Sequence, residues 1–204
     1  MERLAIVICA GSALGQNIII NGDFESNSAG STQFNLSNVS FTSLMNNSTA
    51  FGTSEELDII TGLSLGIAPQ SGSWKVGMHE RQGLGVDAFS LELSQPVVAG
   101  QVYDFSCWVA GLADFANPLL QFEVGLSGLA NDFGTTVVFG TAASTSAWNE
   151  VTSTFVAPVN ASHITVRNFV AFNNYGFIDN MSLSLVPAPG TALALLVLGA
   201  RRRR

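Results

Sequence analysis

Short segments in which apolar and polar residues alternate constrain the fold of this chain more than any other feature. In residues 101–109, Tyr103, Phe105 and the next odd-numbered positions are apolar, whereas Asp104 and Ser106 lie between them. Alternation with a period of two is typical of a β-strand that buries one face. Comparable strand patterns occupy seven further segments, namely residues 17–20, 87–94, 119–126, 135–139, 148–157, 163–172 and 177–185.

The links between these predicted strands are rich in residues that favour turns, such as Gln95-Pro96, Ala99-Gly100 and Asn173-Asn174-Tyr175-Gly176. No stretch has the periodicity of a helix of about three turns. About eight or nine strands with this spacing predict an all-β fold of two packed antiparallel sheets, a jelly-roll sandwich. We expect one such domain at residues 16–186, since this body contains neither an internal repeat nor a long linker.

The first 15 residues have the pattern of a secretory signal peptide. Arg3 supplies a positive charge, residues 4–14 are apolar or small, and Ala13 and Gly15 are small residues suited to a cleavage before Gln16. The apolar run is too short to span a bilayer as a helix. The alternative is a buried N-terminal strand, but the pattern favours export.

Residues 187–204 combine a proline motif, an apolar segment and a cationic end. Pro187 and Pro189 flank Ala188, residues 192–200 are apolar or small, and the chain ends with Arg201, Arg202, Arg203 and Arg204. This order resembles the PEP-CTERM sorting signal of Gram-negative bacteria that make exopolysaccharide. The resemblance implies transient insertion of the tail into the inner membrane, with the arginines on the cytoplasmic side. It also implies cleavage near the proline motif by an exosortase-type membrane protease.

The tail departs from the PEP-CTERM pattern at two points. Ala188 replaces the family's glutamate, and the apolar stretch has about 10 residues where a full span needs about 20. An ordinary single-pass anchor is the alternative, and the short stretch argues against it. Together, leader and tail predict export to the cell-envelope surface or extracellular matrix of a Gram-negative-type bacterium.

Charge is unevenly distributed along the chain. Residues 16–186 contain fourteen acidic residues and three basic ones (Lys75, Arg81 and Arg167), so the formal charge of this body is −11. An anionic surface repels phosphate backbones, and nucleic acid is therefore not an expected partner. The composition suits a secreted domain that binds neutral ligands or divalent cations. Cys107 is the single cysteine of the body, and we expect it to pack as a small hydrophobe.

A second resemblance covers residues 17–185, nearly the whole body. Residues 17–25 read Asn-Ile-Ile-Ile-Asn-Gly-Asp-Phe-Glu, and residues 176–183 read Gly-Phe-Ile-Asp-Asn-Met-Ser-Leu. These sequences are similar to the first and last strands of galactose-binding-like jelly rolls, a group that includes many carbohydrate-binding modules. Residues 93–109 and 148–155 are similar to further strands of that family. The resemblance implies the fold and a secreted context, but this fold hosts many functions.

The galactose-binding-like resemblance also implies a structural calcium ion. In such modules a glutamate of the first strand and an aspartate of the last strand converge on the ion, and the matching residues are Glu25 and Asp179. Two carboxylates brought together by neighbouring strands repel each other, and a cation with backbone carbonyl ligands relieves this repulsion. Asp23 is a weaker third candidate, because it has the same strand parity as Glu25. The alternative is that these acids are merely exposed strand ends.

Aromatic residues are the candidates for glycan binding, because sugar rings stack on exposed aromatic faces while polar side chains bind their hydroxyl groups. Such residues are Trp74, Trp108, Trp148 and Tyr175. Trp108 shares its strand face with Asp104, which is the polarity expected of a binding face. Tyr175 belongs to an asparagine-rich segment that suits a site at the rim. The alternative for Trp108 is a ring covered by another strand or loop.

No catalytic constellation is apparent in the sequence. His79 and His163 lack a metal-binding spacing, there is no Gly-x-Ser-x-Gly motif, and acid pairs such as Glu55-Glu56 have no fixed separation. The leading interpretation is a non-enzymatic surface or matrix protein that binds glycan or extracellular polysaccharide. The second is a structural or adhesive coat component without a defined ligand, and the third is a glycan-acting hydrolase. An exposed aromatic cluster would favour the first, and a deep cleft with two facing carboxylates the third.

Overall fold

Strands account for most of the chain that the structure describes. The computed structural model describes residues 15–81, 85–112, 119–143, 147–168 and 174–187. These ranges contain the helix α1 (Asn38–Leu44), a turn of 3-10 helix at Ser64–Gly66, and twelve strands. The strands are β1 (Gln33–Leu36), β2 (Ser48–Ala50), β3 (Leu57–Thr61), β4 (Trp74–Arg81), β5 (Gly85–Val86), β6 (Ala88–Val97), β7 (Val102–Gly111), β8 (Leu119–Ser127), β9 (Thr135–Ala143), β10 (Asn149–Val156), β11 (Ala161–Asn168) and β12 (Asn174–Leu185).

The strands form two sheets. The seven-stranded sheet has the order β1-β3-β4-β12-β7-β10, with β5 paired to β4, and the five-stranded sheet has the order β2-β6-β11-β8-β9. Every strand pair is antiparallel. This arrangement confirms the predicted all-β fold of two antiparallel sheets, a jelly-roll sandwich.

The main core lies between the two sheets. In β7, Tyr103, Phe105, Cys107 and Val109 are each 3% exposed or less, as their alternation predicts. Cys107 is completely buried, and this burial raises the pKa of its thiol. The thiol therefore packs as a small hydrophobe, as expected.

The predicted segments include none of β1 to β5, and one of them, residues 17–20, is not a strand, so twelve strands stand where eight or nine are expected. In β3, the consecutive residues Asp58, Ile59 and Ile60 are all at most 2% exposed. A loop, residues 62–73, covers the outward side: its Ile67 packs with Ile60 on that face. Because both faces of the strand are buried, no period-two pattern remains in the sequence.

Residues 17–20 do not form a strand, contrary to the expectation from their apolar pattern. Ile18 N–H donates to Leu183 O of β12 (2.8 Å), whereas Ile20 N–H donates to Glu92 O of β6 (2.9 Å). The segment thus bonds to one strand of each sheet, and its pairing with β6 is a single bridge between Ile19 and Leu93. It joins the two sheets, with Ile18 and Ile19 buried in the core.

The predicted leader and sorting tail fall almost entirely outside the described residues. Residues 1–14 and 188–204 are not described, and these include Pro189 and the four terminal arginines. Pro187 is exposed two residues after the end of β12. Within the described ranges, no helix has the length and apolar character needed to cross a bilayer.

Candidate functional site

The motif at residues 21–25 builds a tight turn rather than the end of a strand. Asn21 has a left-handed backbone (φ 58°), and its side-chain amide donates to Asn46 O (2.9 Å). Phe24, with φ also 58°, is completely buried and packs edge-on against the ring of Phe89. Much of this motif is therefore explained by packing at one corner of the fold.

The turn overturns the strand-parity reason for adding Asp23 to a metal site. Residues 21–24 are not extended, so alternate side chains do not point to the same side. Asp23 is exposed, and its Oδ1 accepts a long hydrogen bond from Glu25 N–H (3.4 Å). Its carboxylate thus turns back onto its own segment.

Glu25 and Asp179 face residues 70–74, which are the end of loop 62–73 and the first residue of β4. Ser73 N–H and Trp74 N–H donate to Glu25 Oε1 (2.7 and 2.9 Å), and Gln70 N–H donates to Asp179 Oδ2 (2.9 Å). Asp179 is completely buried, and this burial raises the pKa of its carboxyl to about 7. The negative charge of Glu25 adds to that rise, so the two acids are near enough to repel each other.

The donor set around these two acids fits calcium poorly. Calcium takes six to eight oxygen ligands, whereas the 70–74 loop presents N–H groups to both carboxylates, and N–H groups cannot ligate a cation. Among the described residues, no three His, Cys, Asp or Glu side chains form a group that would hold a metal ion. Lys75 already lies near Asp179, whose charge acts on its ammonium. Calcium at this place stays a prediction.

An open groove lies on the outer face of β7, β10 and β12, and we call it the serine–threonine groove. Its volume is about 530 Å³. Hydroxyl groups and two carboxylates dominate its lining, which includes the side chains of Asp104, Ser106, Glu150, Thr152, Thr154, Ser182 and Ser184. A surface of this kind presents many hydrogen-bonding groups to a polyhydroxylated ligand.

Asp104 and Trp108 share this outer face, as the alternation of their strand predicts. Asp104 is exposed and accepts a hydrogen bond from the Thr154 hydroxyl. Trp108 is half-buried and lies opposite Glu150 of β10 and Asp179 of β12. Sequence reasoning misses Glu150 and the threonines of β10, although the alternation in residues 148–157 is the signal that finds them.

The two acidic residues of the groove lie far apart along the strand direction. Glu150 lies opposite Trp108, which is four residues along β7 from Asp104. Four residues of antiparallel strand span about 14 Å. Glycosidase carboxyl groups lie roughly 5–9.5 Å apart. The backbone positions of Asp104 and Glu150 thus lie farther apart than the carboxyl groups of a glycosidase pair, which does not favour the hydrolase interpretation.

The other aromatic candidates do not line the groove. Trp74 is half-buried and packs against the main core between the sheets. Tyr175 lies within β12, only 6% exposed, and its hydroxyl donates to Asp58; the expectation of an exposed rim residue is therefore wrong. Trp148 packs against Phe177, and its Nε1–H donates to Ala68 O (2.9 Å). Loop 62–73 covers the rings of Trp148 and Tyr175. The local sequence does not reveal this cover.

The outer face of the five-stranded sheet is covered in part by the chain itself. The segment 128–134 between β8 and β9 folds back over it. Ser90 and Thr165 donate from their hydroxyls to Ala130 O and Phe133 O (2.7 Å each). The Arg167 guanidinium lies over the Phe133 ring, 3.8 Å from its centroid. The outward side chains in the middle of this sheet are thus occupied by protein.

Comparison with known proteins finds likeness in structure but none in sequence. No protein-family model matches the chain, and no curated protein matches it by sequence. The tandem CBM22-1–CBM22-2 domain of Xyn10C from Paenibacillus barcinonensis is similar over 90% of this chain and 50% of its own length, with 15% identity and a TM-score of 0.50.

Two further solved structures are similar to this chain. The enzymatically active domain of tailspike protein 4 from bacteriophage CBA120 matches 83% of this chain with 21% of its own, at 12% identity and a TM-score of 0.52. TmCBM61, solved in complex with β-1,4-galactotriose, matches 83% of this chain with 99% of its own, at 17% identity and a TM-score of 0.49. At such identities the likeness extends to the fold alone.

Proposed function

We propose that this protein is an exported, non-enzymatic surface or matrix protein that binds a neutral glycan in the serine–threonine groove. The groove itself is the observation that carries the proposal. It combines an open shape with hydroxyl groups, two carboxylates and the neighbouring ring of Trp108. Hydroxyl and carboxylate oxygens bind sugar hydroxyl groups, and an aromatic face stacks on sugar C–H groups.

Charge supports a neutral glycan rather than an acidic one. Asp104 and Glu150 both line the groove, and residues 16–186 carry fourteen acids against three bases. A polyuronate would meet negative potential both in the groove and around it. The likeness to a tandem of carbohydrate-binding modules agrees with this proposal but supports only the fold.

The test is a glycan array of neutral and acidic oligosaccharides on residues 16–186, followed by calorimetry with the best neutral ligand. Hydrogen bonds to a charged group contribute about 1.5–3 kcal/mol, so Asp104→Ala should weaken binding about tenfold or more. Trp108→Ala should weaken it similarly. Matched controls are Asp132→Ala and Phe139→Ala, which change an exposed acid and a 69% exposed ring away from the groove.

Three results would contradict the glycan proposal. Binding of polyuronates in preference to neutral chains would overturn the charge argument. Equal loss in the control variants would move the site elsewhere. No binding to any glycan would favour the coat component without a defined ligand.

We also propose that the tail directs sorting by an exosortase-type protease after export through the leader. The order Pro187-Ala188-Pro189, apolar segment and Arg201–Arg204 in the sequence supports this. Replacing the four arginines with neutral residues should leave the tail unprocessed or the protein mislocalised, as measured by fractionation and mass spectrometry. Identical processing of both proteins would refute the assignment.

We keep a structural calcium ion as a separate proposal that rests on the proximity of Glu25 and Asp179, although the N–H groups of residues 70–74 compete for the same carboxylates. An ion bound to the folded state alone adds about 2.7 kcal/mol at a hundredfold excess over Kd, or roughly 5–11 °C in Tm. Chelator should lower Tm, calcium should restore it, and Asp179→Ala should abolish the response. A Tm indifferent to both additions would leave the loop N–H groups as the partners of these acids.

A further inference from the structure

A second cavity opens on the outer face of the seven-stranded sheet, separate from the serine–threonine groove, and we call it the Asp58 cavity. Its volume is about 380 Å³, which lies within the range of small-molecule sites. Residues distant in sequence build it: Phe34 from β1, Asp58 from β3, Leu65 from the covering loop, His79 from β4, Leu112 after β7 and Tyr175 from β12.

The walls of the Asp58 cavity are apolar. Phe34 is 48% exposed and Leu65 is 39% exposed, and Leu112 is half-buried beside them. Leu65 has a left-handed backbone (φ 61°), which is costly for a residue with a branched side chain. An apolar ligand body that covered these side chains would remove them from water.

The floor of the cavity is acidic. Asp58 is only 2% exposed, with its Oδ1 accepting from Asn35 N–H (2.6 Å) and its Oδ2 accepting from the Tyr175 hydroxyl. Within the described part of the chain, no basic side chain forms an ion pair with Asp58. His79 lies in the same cavity, but its Nδ1 is 3.5 Å from Glu56 Oε2. The charges of Asp87 and Glu56 also act on Asp58.

We propose that the Asp58 cavity binds a small organic monocation, with an apolar body between Phe34 and Leu65 and an amine directed at Asp58. Charge complementarity supports this ligand, because Asp58 lines the cavity and forms no ion pair with a described basic side chain. Each oxygen of Asp58 uses one acceptor site and retains another, so the carboxylate can accept further N–H bonds. The neighbouring aromatic rings also favour a cation.

The experiment compares two probes of nearly equal size and shape, 2-phenylethylamine and 2-phenylethanol. Both are titrated into isotope-labelled protein at physiological salt, near pH 8, with amide chemical shifts as the readout. The amine should bind at least tenfold more tightly than the alcohol. Its shifts should centre on residues 34–35, 58 and 65 rather than on the serine–threonine groove.

Variants distinguish amine binding in the Asp58 cavity from the general attraction of a cation to an anionic protein. Asp58→Asn should reduce amine affinity about tenfold and leave the alcohol nearly unchanged. Because that change touches a buried network, Phe34→Ala on the exposed edge strand provides a second test and should weaken both probes several-fold. Asp132→Asn removes one exposed charge elsewhere and should leave amine affinity within twofold of the unmodified protein, as should Asp104→Asn in the groove.

Equal affinity for amine and alcohol would overturn the proposal, as would the absence of binding by either probe. So would amine binding that survives both Asp58→Asn and Phe34→Ala. Shifts scattered over the surface, with equal losses in Asp132→Asn, would assign the binding to net charge. Glycan binding in the groove is measured separately, so its failure leaves this result unaffected.

Discussion

The outer faces of the two sheets differ in how far the chain's own segments cover them. On the five-stranded sheet, segment 128–134 lies across the middle strands and occupies the hydroxyls of Ser90 and Thr165. On the seven-stranded sheet, loop 62–73 covers one part, and the serine–threonine groove leaves another part open. The chain itself thus covers the middle of one outer face and leaves an open groove on the other.

The two outer faces also differ in the partners of their buried carboxylates. On the five-stranded sheet, Glu123 forms an ion pair with Arg167 (2.5 Å). On the seven-stranded sheet, the buried Asp58 and Asp179 accept hydrogen bonds from uncharged donors. Burying carboxylates whose hydrogen-bond donors are uncharged is costly, so ionisation of these two acids on the seven-stranded face opposes folding.

The largest expected effect is a loss of stability with rising pH that originates on the seven-stranded face. Burial raises the pKa of Asp58 and of Asp179 to about 7. The folded state then binds more protons than the unfolded state between about pH 4 and pH 7. The free energy of unfolding should therefore fall as pH rises through this window, by at most roughly 4 kcal/mol for each group.

Denaturant unfolding of Asp58→Asn and of Asp179→Asn across this pH window measures the effect. Each variant should show a flatter decline than the unmodified protein. The double variant should be flatter still, since separate sites contribute additively. An unchanged slope in all three variants would mean that these carboxyls titrate alike in the folded and unfolded states.

The next effect concerns the ion pair on the five-stranded face. The side chain of Glu123 is 4% exposed and that of Arg167 is 39% exposed. Arg167→Met leaves the glutamate buried without its cation and should lower the free energy of unfolding by about 3 kcal/mol. Adding Glu123→Gln should restore most of this loss, as a double-mutant cycle measures. Equal destabilisation in the single and double variants would show that Arg167 acts through packing on Phe133.

The smallest effect concerns the segment that covers the five-stranded sheet. A Cβ on Gly125 would lie 2.6 Å from Phe133 O and 2.6 Å from Thr165 Oγ1. Gly125→Ala should therefore lift segment 128–134 and cost about 1–3 kcal/mol, with faster amide exchange in that segment. Gly128→Ala is the matched control, because a Cβ there meets nothing within 4 Å. Equal exchange in the two variants would mean that the segment is not held by this contact.

The same comparison explains how far the sequence predicts the fold. β7 and β10 have one face open to solvent along much of their length, so polar and apolar residues alternate and Asp104 and Trp108 are predicted on the correct face. β3 is covered by a loop on its outer side, so its alternation is lost and the strand escapes prediction. β4 keeps an alternation at residues 74–79 that the prediction overlooks.

The two candidate sites also differ in how far the sequence predicts them. The groove follows from local alternation in three strands, so its predictable members come from one rule. The Asp58 cavity depends on pairing residues 34, 58, 79 and 175 across four strands. No local pattern encodes such a meeting, and the single signal in the sequence, an acid within an apolar run at residues 57–60, is ambiguous without the fold.

The position of β12 has a mechanical consequence. Ser182 and Ser184 of β12 line the groove, and Pro187 lies just beyond them. β12 is held along its length by hydrogen bonds to β4 and β7. A pull between a ligand in the groove and an anchor beyond Pro187 would load a few residues of this strand and leave the interface between the sheets without tension. The domain would then transmit force through this short stretch of β12. The force at which the domain unfolds would be set by the shearing of the hydrogen bonds along β12.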